Sequence, residues 1–100
     1  MQKAGETKEV VDLCRLLINP KGRPDWKAIQ KCLKDLKDTE AESIRIVVNN
    51  YVANAAVASN SAAFVKHCLF LLDCFTGPYN SAEKHAPLLL SIGAAIGMDQ

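Results

Sequence analysis

Apolar residues recur at helical spacing along most of the chain. Val10, Leu13, Cys14 and Leu17 follow i, i+3, i+4, i+7, with Lys8, Asp12 and Arg15 between them. This predicts a first amphipathic helix, capped by Thr7 and ending near Ile18. Two prolines and a glycine in Asn19-Pro20-Lys21-Gly22-Arg23-Pro24 then break the pattern. Asp25 is placed to cap a second helix whose stripe is Trp26, Ile29, Leu33 and Leu36.

Thr39-Glu40-Ala41-Glu42 has capping-box spacing, in which hydroxyl and carboxylate would each satisfy an otherwise unpaired N–H at the start of a third helix. From Ile44 to Val57 that helix is apolar on nearly every side, which marks it as the centre of a bundle. Ile44, Ile46, Val47 and Val48 are β-branched, yet the apolar stretch runs on through Ala53, Ala55 and Ala56, too long for an ordinary strand. Ser59-Asn60-Ser61 separates it from a fourth helix, Ala62 to Phe75, with Phe64, Val65, Cys68, Leu69, Leu72 and Phe75 as its inward set. Gly77-Pro78-Tyr79-Asn80 is a turn, and Asn80 or Ser81 can cap a fifth helix reaching about Gly97. Pro87 falls inside that helix, so a kink or restart is expected there. The expectation is one all-α domain over residues 1–100, a bundle of about five helices around the apolar segment 44–57.

Composition agrees. Hydrophobic residues make up 49% of the chain and aromatics 6%, a bias toward aliphatic side chains that suits closely packed helices. A formal charge of +1 leaves no whole-molecule field to attract phosphate backbones or anionic membranes, so any such contact must be local. The first ten residues carry no apolar run of the kind a secretory signal needs. The most apolar stretches, 62–75 and 86–98, are shorter than the ~20 residues of a membrane span. A cytoplasmic protein without membrane contact is expected. Cys14, Cys32, Cys68 and Cys74 form no CxxC pair, and three of them sit at apolar-face positions. They are read as free thiols in a reducing compartment, not as disulfides or zinc ligands.

Candidate chemistry is sparse. No glycine cluster followed by Lys and Ser or Thr is present to cradle phosphate. Gly93 and Gly97 lie in an apolar helix, where they would allow close packing with a neighbour. His67 and His85 are placed on polar sides of their helices, with no base or orienting group specified for a Cys/His pair. Asp35, Asp38, Glu40 and Glu42 cluster at a helix junction, where they cap and solvate. No catalytic residue, cofactor, metal or small-molecule substrate is therefore expected, and the domain is read as a non-enzyme.

Two charge features remain. Lys27, Lys31 and Lys34 follow i, i+4, i+7 opposite the Trp26, Ile29, Leu33 stripe, a row that is either a solvated face or a contact for phosphate or an acidic partner. Arg45 is the one strong charge on the central helix, either exposed at its start or paired with an acceptor. Asn49, Asn50 and Asn54 have the chemistry to satisfy loop backbone within the chain or to hydrogen-bond to a neighbouring subunit.

Asp25-Trp26-Lys27 with Ile29 and Leu33, Glu42-Ser43-Ile44-Arg45 leading to Tyr51, Cys74-Phe75 and Tyr79-Asn80-Ser81 together resemble the C-terminal helical domain of clamp-loader small subunits, particularly phage-type ones. The resemblance spans roughly Val10 to Gly97 and is carried by dispersed positions. It implies a collar of helical bundles that follows an ATP-hydrolysing AAA+ module and holds the subunits in a ring for sliding-clamp loading in DNA replication. The implied partners are AAA+ clamp-loader subunits or further copies of the chain, with indirect DNA contact through the lysine row. Subunit contacts would fall at Arg45, Asn49, Phe75 and Tyr79. The chain departs from the family at Ala82, where relatives tend to carry Gly, and at Pro87, and it contains no Walker motifs. The alternative is an unrelated helical adaptor that binds a partner helix in an apolar groove.

Overall fold

The structure, a computed structural model, describes residues 8–18 and 25–97. Five α-helices account for most of them: α1 (Lys8–Ile18), α2 (Trp26–Asp35), α3 (Ala41–Ala58), α4 (Ala62–Cys74) and α5 (Ala86–Ala95). A single 3₁₀ turn, Ser81–Glu83, precedes α5, and no strand occurs among the described residues. The all-α expectation holds. Thr7 and the Asn19 to Pro24 break lie outside the described residues.

The core forms where the stripes meet. Val10, Leu13, Cys14 and Leu17 of α1 face Ile29 of α2, Ile44, Val48 and Val52 of α3, Cys68 and Leu71 of α4, and Leu88 and Ile92 of α5 in one buried cluster. α3 packs most extensively against α4 and also touches α1 and α5, while α2 packs against α1. The radius of gyration, 12.8 Å, is near the ~13 Å of a compact domain this long.

Helix ends follow local chemistry. Asp25 caps α2 by accepting from the Lys27 N–H at 3.0 Å, and Ser61 caps α4 by accepting from the Phe64 N–H at 3.2 Å. Asn80 caps the 3₁₀ turn, its side-chain oxygen accepting from the Ala82 N–H at 2.9 Å. Pro87 sits in the first turn of α5, where a missing N–H costs nothing, and Lys84 just before it has φ 56°. The expected interruption at Pro87 is therefore a restart. Gly97 ends the helical run with φ +78°, a conformation glycine adopts without strain.

Several expectations fail. α3 has no capping box: it starts from Glu40 with no side-chain cap, and the Glu42 carboxylate turns instead to Arg45 and the Tyr79 N–H. Nor is α3 buried all round, since its fully covered residues are Ala41, Ile44, Val48 and Val52 on one face, while Val57 is 89% exposed. In α4 the inward position taken for Leu69 belongs to Leu71, because burial follows Cys68, Leu71 and Phe75, and Leu69 is 58% exposed. Gly93 and Gly97 meet no close neighbour, as a Cβ on either would find nothing within 4 Å. Both histidines are half-buried and partnered. His67 Nε2 lies 3.2 Å from the Leu17 carbonyl oxygen and His85 Nε2 lies 2.7 Å from that of Thr39. A carbonyl only accepts, so Nε2 carries the proton in each.

Candidate functional site: a latch between α3 and the α4–α5 connector

Glu42, Arg45 and Asn49 are spaced i, i+3, i+7 on α3 and so share one flank of that helix. The guanidinium of Arg45 grips Glu42 in bidentate fashion, Nε donating to Oε1 and Nη2 to Oε2, both at 2.6 Å. Its remaining Nη1 donates to the Phe75 carbonyl at 3.3 Å, and Asn49 Nδ2 donates to the same oxygen at 3.0 Å. That carbonyl belongs to the C-terminal turn of α4, where helix geometry leaves acceptors unmatched. Four residues later the Tyr79 N–H donates to Glu42 Oε1 at 3.0 Å. Both ends of the connector are thus tied to one flank of α3.

Tyr79 carries the tie onward. Its ring lies under the Arg45 guanidinium, 5.7 Å from Cζ to the ring centroid, and its hydroxyl donates to Ser91 Oγ of α5 at 2.6 Å. Ser91 is 8% exposed, so the phenol gives a buried polar group its partner. Gly77 lies between the two anchor points, and a Cβ there would meet the Arg45 guanidinium, which would have to shift to make room. Asn49 Oδ1 is buried and has no partner among the described residues.

The electrostatics follow from these contacts. Hydrogen bonds from Arg45, then that from the Tyr79 N–H, lower the Glu42 carboxyl from 4.5 to about 2. The bond to Glu42 raises Arg45 further above its ordinary value. Burial pushes the Tyr79 phenol up, against the smaller opposing effects of Ser91 and Arg45. The thiols move away from reactivity: burial raises Cys32, with Asp12 and Asp35 adding to it, and burial raises Cys68. Cys14 and Cys68 are buried and Cys32 and Cys74 half-buried, and none of the four is in a disulfide. Among the described residues no group of three or more His, Cys, Asp or Glu is disposed to hold a metal ion, and no helix is long and apolar enough to cross a membrane.

Beside the latch a cleft of about 540 Å³ opens between the α2–α3 turn and the connector, bordered by Lys37, Glu40, Tyr79, Lys84 and His85. Its lining mixes both signs of charge, Asp38 and Glu42 included, so no single ligand charge is favoured there.

Arg45, Asn49, Phe75 and Tyr79, expected at a subunit contact, do come together, but on one another within the chain. Phe75 contributes its carbonyl while its ring is wholly buried. Lys27, Lys31 and Lys34 stand apart on α2, all exposed, with no ion pair to any described residue. Sequence reasoning missed the outward apolar residues of α5, Leu89 at 50% and Leu90 at 72% exposure, and the Tyr79–Ser91 bond. The signal for the first was present, because no Asp, Glu, Lys or Arg occurs from His85 to Met98, but such a run does not say which side faces out. Comparison of the chain with protein-family models, with curated proteins and with solved structures finds no match.

Proposed function

We propose that the chain is a non-catalytic assembly domain of the clamp-loader collar type, holding AAA+ subunits together through its helical surface. The observation that carries the assembly part is α5. It has no charged residue in ten, buries Leu88 and Ile92 completely, and still presents Leu89 and Leu90 on its other side. A helix apolar all round is normally covered all round, and exposed leucines on such a helix fit a protein contact. The latch supports this reading by fixing the connector that leads into α5. The collar part rests on the dispersed resemblance of Asp25-Trp26-Lys27, Glu42-Ser43-Ile44-Arg45 and Tyr79-Asn80-Ser81 to clamp-loader small subunits.

Sedimentation velocity of the natural gene product, beside its Leu90→Glu variant, tests both parts. A ring-sized species that Leu90→Glu disperses, with the helical circular-dichroism signal unchanged, is the expected result. Association insensitive to Leu90→Glu would remove α5 as the contact. A natural product that carries no ATPase module and neither self-associates nor binds AAA+ subunits would end the collar reading.

A further inference from the structure

We draw no further inference here: the strongest candidate, the cleft between the α2–α3 turn and the α4–α5 connector, borders the uncapped N-terminus of α3 and is lined by side chains of both charges, and none of its lining residues holds a buried polar atom left without a partner that would point to a ligand.

Discussion

α2 and α5 are each ten residues long, and each turns a fully buried aliphatic residue to the core, Ile29 in one and Leu88 with Ile92 in the other. Their outer faces have nothing in common. α2 shows lysines to solvent and would expose those charges to the core if it rotated, so its own amphipathicity fixes its orientation. α5 shows Leu89 and Leu90, and rotation would exchange leucine for leucine. A helix without a polar face needs outside tethers to choose which side to bury. Those tethers are visible: Ser91 takes the Tyr79 hydroxyl, His85 reaches the Thr39 carbonyl, and Tyr79 is bound through its N–H to Glu42. The latch on α3 thus acts as the orienting device for α5.

The largest effect should come from the inner faces, where the two helices are alike. Ile29→Ala and Leu88→Ala each leave a cavity at a position with no exposed surface, and each should cost about 2–5 kcal/mol. In a domain of this size that lowers Tm by about 10 °C or more, read by thermal unfolding. A Leu88→Ala loss well below 1 kcal/mol would mean that α5 is not docked on this face, and the contrast with α2 would collapse.

Gly77→Ala should separate the two helices. The new methyl drives the Arg45 guanidinium from the backbone, weakening its hold on Glu42 and on the Phe75 carbonyl, and should cost about 1–2 kcal/mol. Native-state hydrogen exchange should show the loss concentrated in α5, with protection there down about tenfold and α2 nearly unchanged. Equal loss in both helices would make the latch an ordinary part of the core. Because both changes act on the same contacts, Gly77→Ala combined with Arg45→Ala should cost less than the two separately.

The same contrast explains what could be read from the sequence. α1 and α2 were legible because apolar and charged residues alternate with a helical period, so both the element and its buried side follow; Asp25 as N-cap follows likewise. Pro87 announced an interruption, a kink or a restart, because its backbone restriction is local, and the structure makes it a restart. The sides of α3 and α4 were harder. Leu69 and Leu71 are chemically identical candidates two positions apart, and only packing against α1 and α3 decides between them. The latch was half legible. Arg45 stood out as a charge either exposed or paired with an acceptor, but its acceptors lie three residues away and thirty residues away, and no spacing rule brings the Phe75 carbonyl to it. Glu42 was read as part of a capping box because that local rule and the actual long-range bond to Tyr79 use the same carboxylate.

The smallest expected signal is a difference in pH dependence, and it tests whether charge holds the tether. Glu42 is lowered in the folded chain from 4.5 to about 2, first by hydrogen bonds from Arg45. The unfolded chain therefore binds more protons between those values, and stability must rise with pH across that window. The contribution is fully present above about pH 5 and is lost as pH falls toward about 2. Glu42→Gln keeps the shape but removes the titration, so the Tm difference between the two proteins should be greatest at neutral pH and shrink on acidification. Protection from exchange in α5, taken relative to the unfolded rate at each pH, should fall ahead of that in α2 over the same window in the parent chain and lose that pH dependence in the variant. A Tm difference near zero at both pH 7 and pH 3 would show that the charge of the Glu42–Arg45 pair contributes nothing, and α5 would then owe its orientation to Ser91 and His85.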